Sequence, residues 1–254
     1  MRPNQIRERW NAGKPVVSAW LSIGNTYLAE AVGHTGYHCV NVDLQHGMFD
    51  TDTAILMLQA ISSTPATPIV RVPSSEATTI MKVLDAGSYG IICPMVDTAD
   101  EAADFVAATR YPPLGMRSFG PSRGLLYGGP DYFDNANDTI VRLAMIETRE
   151  GLDNVEAICA VDGLDGVFIG PNDLGLALDR GPAVDPTEPD VVAAIDRILA
   201  AAQSNQKHAG IFCPSGKVAQ RRIADGFDFV VPNTDVNLLR RGIAGEFGDI
   251  GNMD

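Results

Sequence analysis

The sequence predicts an α/β protein, a single (β/α)8 TIM barrel over residues 1–254, and three observations carry that reading. From residue 15 onward, short β-rich runs alternate with amphipathic helical stretches. The alternation repeats eight times with no Gly- or Ser-rich linker between repeats, as parallel strands joined by crossover helices require. A length of 254 residues at 45% hydrophobic content matches the roughly 250 residues of one such barrel and can fill its core. A doubly wound open sheet is the second choice.

Taken in order, Pro15–Leu21 reads as the first strand and Tyr27–Val32 as the helix after it. His38–Asp43 and Thr51–Ile61 form the second pair. Thr67–Val72 is a strand closed by Pro73-Ser74-Ser75, and the helix opened around Ser75 and Thr78 stops at Asp85-Ala86-Gly87. Gly90–Pro94 is a buried strand, and Thr98 followed by Glu101 caps a helix over Thr98–Thr109. Arg142–Ile146 and Gly166–Ile169 are strands five and six, with Leu152, Val155, Ile158 and Cys159 at helical spacing between them. Asp190–Ala202, Val218–Asp225 and Val236–Ile243 read as helices, interleaved with strands His208–Cys213 and Phe227–Val231. Two connections exceed an ordinary turn, Arg110–Asp138 and Leu174–Pro189. Both are expected to follow strands at the carboxyl rim, where such a barrel keeps its chemistry and long loops act as lids or subunit contacts.

The formal net charge of −13 argues against nucleic acid or an anionic membrane surface as partner. No apolar run approaches the roughly 20 residues of a membrane span, and Met1–Trp10 lacks a signal-peptide core. Cys39, Cys93, Cys159 and Cys213 lie far apart on apolar segments without CxxC spacing. That points to buried thiols in a reducing compartment rather than disulfides or zinc. The expectation is a soluble cytoplasmic protein.

The ends of strands five and six organise the candidate chemistry. Glu147 directly follows one, and Asp173 follows the other after a Gly170-Pro171-Asn172 turn. Parallel neighbours aim both acids at one end of the sheet, close enough to share a cation. Hard oxygen ligands completed by water suit Mg2+ or Mn2+ better than zinc, with Co2+ as a third candidate. The other strand ends bring Trp20, Gln45-His46-Gly47, Arg71, Pro94, Pro214-Ser215 and Pro232-Asn233 to the same face. One imidazole, one guanidinium and two carboxylates form a workable set for stabilising the enolate of an α-keto acid. The cation would chelate the carboxylate and carbonyl oxygens, Arg71 would donate to the enolate oxygen, and His46 would serve as general base.

Each residue also has a plainer reading. A surface acid is commonly just solvated, and a lone histidine is more often structural. Two acids at neighbouring strand ends, and an imidazole just beyond a third in DLQHG, tip the balance toward function. Arg71 lies inside the apolar run Pro68–Val72 and must find a buried anion. His34, His38 and His208 belong to the opposite rim. Of Lys14, Lys82, Lys207 and Lys217 only the last follows a strand, and it sits in a loop, which disfavours Schiff-base chemistry. There is no GxGxxG loop, and CPSGKV is too short for a phosphate loop. Ser122-Arg123-Gly124 could hold a phosphate or carboxylate, but a surface loop explains it more simply.

Four segments, RVPSSEATTIMKVLDAG, RYPPLGMRSFGPSRG, IETREGLDNVEAI and DGVFIGPNDL, resemble in order and spacing the HpcH/HpaI aldolase family. These are metal-dependent class II pyruvate aldolases, related to citrate lyase beta-like enzymes, and the similarity runs from about Ser18 to Asp235. The resemblance implies a βα barrel that reversibly adds pyruvate to an aldehyde and cleaves 4-hydroxy-2-oxo acids. It implies His46 as acceptor of the 4-hydroxyl proton through water, Arg71 as transition-state stabiliser, and Glu147 and Asp173 as metal ligands. It also implies the backbone around Gly170–Asn172, next to Asp173, as the keto-acid carboxylate site.

Asp85, in the LDAG segment, is implied as the residue that raises the basicity of the histidine. The helix ending there should nevertheless finish at the opposite rim, and Asp43 is the rival partner. An acid in a last helical turn opposes the dipole, a misfit of the kind that functional demand leaves. Assembly as trimers of dimers with exchanged C-terminal helices is implied as well, with Leu238, Leu239 and Ile243 available for the contact.

Two departures bear on substrate choice. Met145 stands where many relatives carry glutamine, and Leu44-Gln45-His46 stands where they often read GEH. The leading expectation is a divalent-metal aldolase using pyruvate or hydroxypyruvate as donor. The alternatives are a lyase for a citryl- or malyl-CoA-type thioester and a noncatalytic binder of a small keto acid.

Overall fold

Strands whose residues are apolar on both faces must be covered on both, and here they close on themselves. The computed structural model describes residues 1–250, which form a closed barrel of eight parallel strands paired in sequence order. These are β1 (Val16–Leu21), β2 (Cys39–Asp43), β3 (Thr67–Arg71), β4 (Gly90–Cys93), β5 (Val141–Ile146), β6 (Gly166–Ile169), β7 (His208–Cys213) and β8 (Phe229–Pro232). The expected barrel is therefore what forms, and the doubly wound alternative is excluded by the β1–β8 pairing, Val16 opposite Phe229.

The helices are α1 (Gln5–Asn11) before β1, then α2 (Thr26–Gly33), α3 (Thr51–Ile61), α4 (Ala77–Asp85) and α5 (Ala99–Thr109). Next come α6 (Ser122–Gly128), α7 (Tyr132–Thr139), α8 (Arg149–Asp153), α9 (Val155–Cys159) and α10 (Pro171–Ala177). The last are α11 (Pro189–Ser204), α12 (Gly216–Asp225) and α13 (Asp235–Asp249). Thr98 caps α5 through the expected box with Glu101. No helix among the described residues is long and apolar enough to cross a membrane.

Period-two alternation sorts each strand into two sets. One faces the helices and forms the larger core, with Val40, Val42, Val70, Ile91, Ala144 and Ile169 among its members. The other fills the barrel interior with Cys39, Ile69, Leu143, Met145, Phe168 and Phe229. Helix α1, which sequence periodicity did not reveal, carries Ile6 and Trp10 into this inner cluster. Trp10 stacks on His208 at 3.7 Å, and His208 meets Asp228, so this histidine is indeed structural. All four cysteines are buried and free.

One expectation is overturned. Arg110–Asp138 does not follow a strand: it leaves α5 and enters β5, which puts it at the amino rim, and it carries α6 and α7 rather than a lid. Element order decides the rim, because a segment leaving a helix returns to the start of a strand. Its arginines are engaged there. Arg123 donates to the Ala86 carbonyl (2.7 Å) and Ser62 Oγ (2.6 Å), which settles the Ser122-Arg123-Gly124 segment as structural. Leu174–Pro189 does leave the carboxyl rim after β6, beginning inside α10.

The same rim buries Arg142, which is 1% exposed. Its Nε donates to Thr109 Oγ1 (2.6 Å), Nη1 to Ile140 O (2.9 Å) and Nη2 to Asn137 O (2.9 Å), with Asp165 3.5 Å away. Replacing Arg142 with leucine strands those three buried acceptors and leaves Asp165 to Arg7 alone, so Arg142→Leu is expected to cost about 3 kcal/mol. Urea unfolding measures this, while activity per folded molecule should stay at the wild-type level because the residue lies at the end away from the site.

Candidate active site

The carboxyl ends of β2 and β3 set the floor of the site. Asp43 and Arg71 are register partners on adjacent strands, so their side chains share one face of the sheet. Arg71 donates from Nε to Asp43 Oδ1 (2.8 Å) and from Nη2 to Asp43 Oδ2 (2.6 Å), a bidentate buried pair. Asp43 Oδ2 also accepts from Trp20 Nε1 (3.1 Å), and the Arg71 guanidinium lies over the Trp20 ring at 4.7 Å. Burial would raise the Asp43 carboxyl, but the hydrogen bonds and charge of Arg71, helped by Trp20 and the His46 N–H, hold it below the ordinary aspartate range. The buried anion that Arg71 needed is thus Asp43, on the neighbouring strand.

Asp43 also ties down the turn after β2. Its Oδ1 accepts the backbone N–H of Gln45 (3.1 Å) and of His46 (3.3 Å), and its carbonyl accepts from Gly47 (3.0 Å). A Cβ on Gly47 would sit 2.1 Å from the Asp43 carbonyl oxygen, so only glycine makes this turn. His46 is held at the rim with its ring exposed.

Across the barrel mouth, Glu147 leaves β5 and Asp173 sits in the first turn of α10. Gly170 lies between them: a Cβ there would be 2.7 Å from Glu147 Oε2 and 3.7 Å from Asp173 Oδ2. Glu147 is only 4% exposed, and its Oε1 accepts the Met95 N–H (3.0 Å) from a residue whose φ is +51°. Its Oε2 takes no hydrogen bond from the described residues. Burial first, and the neighbouring Asp173 charge second, push the Glu147 carboxyl up to about 7.

Two carboxylates meeting over a position without a side chain, one of them buried and repelled by the other, suit a cation. Among the described residues no third His, Cys, Asp or Glu completes a cage. That donor set fits an ion that keeps several waters, as Mg2+ does, better than a fully enclosed zinc.

Two adjoining cavities share His46 and Asp173. One, of about 210 Å³, also meets Arg71, Asn172, Met145 and Gly170, with Trp20, Phe168 and Phe212 as an aromatic wall. The other, of about 310 Å³, meets Gln45, Met95, Glu147 and Thr148. The structure therefore brings together His46, Arg71, Gly170, Asn172, Asp173 and Glu147. It does not bring in Asp85, which ends α4 at the amino rim and receives Arg117 Nη2 at 2.8 Å. Burial, only partly offset by Arg117, raises the Asp85 carboxyl. Phe168, Phe212, Ser22 and Thr234 were missed as lining residues. Phe168 and Phe212 are at inward positions on β6 and β7, a period-two signal that the sequence does carry.

A family model described as HpcH/HpaI aldolase/citrate lyase matches residues 17–241. The chain belongs to the HpcH/HpaI aldolase/citrate lyase family. It is 46% identical over 236 residues to a hydroxypyruvate/pyruvate aldolase of Rhizorhabdus wittichii, covering 93% of this chain and 94% of that one. A 4-hydroxy-2-oxo-heptane-1,7-dioate aldolase of Salmonella dublin is 39% identical over 251 residues, 96% of this chain and 95% of its own. Among solved structures, an HpcH/HpaI aldolase/citrate lyase family protein from Burkholderia cenocepacia superposes with a TM-score of 0.90 at 31% identity, covering 98% and 100% of the two chains. Within the HpcH/HpaI fold the acids of β5 and α10 and the arginine of β3 thus face one mouth.

The raised Glu147 carboxyl has a consequence for the chelator-treated protein. Between pH 4.5, its ordinary value, and about 7, Glu147 stays protonated when folded and ionises when unfolded. The stability this provides is complete below pH 4.5 and is lost as pH climbs to about 7, roughly 3 kcal/mol in all. Glu147→Gln cannot ionise, so its melting temperature should gain on the wild type by several degrees between pH 5 and pH 8. Parallel curves for the two proteins would show that Glu147 ionises freely in the fold.

Proposed function

We propose that this chain is a divalent-metal-dependent aldolase, a carbon–carbon lyase that reversibly cleaves a 4-hydroxy-2-oxo acid into pyruvate or hydroxypyruvate and an aldehyde. The observation that carries the reading is the convergence of Glu147 and Asp173 over Gly170, in cavities that also meet Arg71 and His46. The names of the Rhizorhabdus and Salmonella relatives support it.

Glu147 and Asp173 would hold the cation, Mg2+ or Mn2+ by donor chemistry, with Co2+ also admissible. Once bound, such an ion acts as a Lewis acid toward the carboxylate and carbonyl oxygens of a 2-oxo acid. The chain's own groups do the rest. The first-turn N–H groups of α10, at Asn172 and Asp173, have no intrahelical acceptor and would receive the keto-acid carboxylate. Arg71, with Nε and Nη2 committed to Asp43, has Nη1 left to donate to the oxygen that would gain charge as the C3–C4 bond breaks. His46 takes the proton of the 4-hydroxyl, through water, as the aldehyde departs. The electron pair left on C3 then collects a proton to give the methyl group of pyruvate or the hydroxymethyl group of hydroxypyruvate.

Asp43 supports His46 by fixing its turn. Asp85 lies at the other rim, so it acts on a His46 only across a contact between two copies of the chain. Arg110, Arg117 and Arg123, the anchors considered for a CoA thioester, lie at the amino rim too, away from the site, which does not favour that second substrate class.

The reading includes a reducing cytoplasm, supported by four free buried cysteines, and self-association through α13. Leu239, Ile243 and Phe247 on that helix are 54%, 60% and 67% exposed.

Retro-aldol release of pyruvate should vanish on chelation and return with Mg2+ or Mn2+; activity that survives complete metal removal would exclude the reading. Arg71→Ala should abolish exchange of the pyruvate methyl protons with deuterium oxide, whereas His46→Ala should slow cleavage far more than exchange. The reverse pattern would mean the two roles are swapped. A protein that binds pyruvate without any exchange would be a binder rather than an enzyme. For assembly, Ile243→Asp with Phe247→Asp should lower the sedimenting mass, and an unchanged mass would remove α13 from the contact.

A further inference from the structure

Gln45 presents a buried acceptor, its Oε1, that has no donor among the described residues. The backbone beneath it has little freedom. Leu44 N–H donates to the Arg71 carbonyl (2.9 Å), Gln45 N–H to Asp43 Oδ1 (3.1 Å) and Gly47 N–H to the Asp43 carbonyl (3.0 Å). The side chain is thereby delivered to the cavity of about 310 Å³ that also meets His46, Met95, Glu147, Thr148 and Asp173. The Met95 N–H, which also borders this cavity, is already given to Glu147 Oε1 at 3.0 Å. A buried amide oxygen on a residue that lines one cavity with two carboxylates, and that has no donor among the described residues, calls for a donor such as a bound water.

We propose that Gln45 is a positioning residue for the hydrated cation, its Oε1 accepting a hydrogen bond from a water in the ion's inner shell. The proposal rests on the metal reading above. Two carboxylates leave several positions of a Mg2+-like ion to water, and those waters are strong donors in search of fixed acceptors. An amide supplies such an acceptor without adding charge. Glu147 and Asp173 already match a divalent ion, and a third carboxylate in their place would add to the repulsion that burdens Glu147. Gln45 thus links the turn fastened by Asp43 to the ion site held by Glu147, joining the β2 and β5 sides of the mouth through one water.

The test uses the full chain stripped of metal, with Mn2+ alone as probe. Calorimetric titration gives the affinity, and water-proton relaxation counts the waters in the ion's inner shell. Gln45→Met, which keeps the bulk and loses the acceptor, should weaken Mn2+ binding about tenfold or more with the wild-type number of inner-shell waters. Gln45→Glu keeps an acceptor oxygen and should bind at least as tightly as the wild type. Wild-type affinity in Gln45→Met would overturn the proposal. One extra inner-shell water in that variant would overturn it too, by making Gln45 a direct ligand. Without metal, Gln45→Met should be no less stable than the wild type; a clear loss would assign the amide to the fold instead. Glu147→Gln separates the two levels. If it binds Mn2+ as the wild type does, the metal reading fails; if it loses Mn2+ while Gln45→Met does not, only the role of Gln45 falls.

Discussion

The Asp43–Arg71 pair is the contact on which the geometry of the mouth depends. It joins neighbouring strands at matched register, in a layer too buried for either charge to survive alone. Removing one partner of such a pair commonly costs about 3–5 kcal/mol, because the other is left uncompensated out of water. Trp20, Gln45, His46 and Gly47 all hang on the same aspartate. One residue therefore ties together the guanidinium, the Trp20 side of the aromatic wall and the imidazole turn.

The acids of the mouth follow opposite logic. Asp43 is surrounded by donors and stays ionised; Glu147 has one backbone donor and a like charge beside it, and burial pushes it to about 7. Environments that drive neighbouring carboxyls apart are a mark of functional sites. The compensated acid is architecture. The uncompensated one is an invitation to a cation, and Gly170 keeps the intervening space clear.

Much of this was legible in the sequence because a barrel reports function by position. Arg71 ends its strand, Glu147 directly follows one, and His46 and Asp173 lie within a few residues of theirs, so locating strand ends located them. What stayed hidden depends on lateral register or on closure. The pairing of Arg71 with Asp43 requires knowing which residues of two strands lie abreast. The burial of Ile6 and Trp10 of α1 appears only once the barrel has an end to plug. Arg110–Asp138 was misplaced because its turn-rich composition looks like that of a lid, whereas the order of elements sends it to the amino rim. The Met95 N–H that meets Glu147 comes from a left-handed backbone residue, for which a methionine gives no warning.

The amino end has its charges neutralised from within: Arg7 and Arg142 share Asp165, Arg117 meets Asp85, and His208 meets Asp228. The carboxyl end leaves its acids for a visitor. A cation held there would change the charge balance of the opening alone, because every acid named at the base already has its partner within the chain.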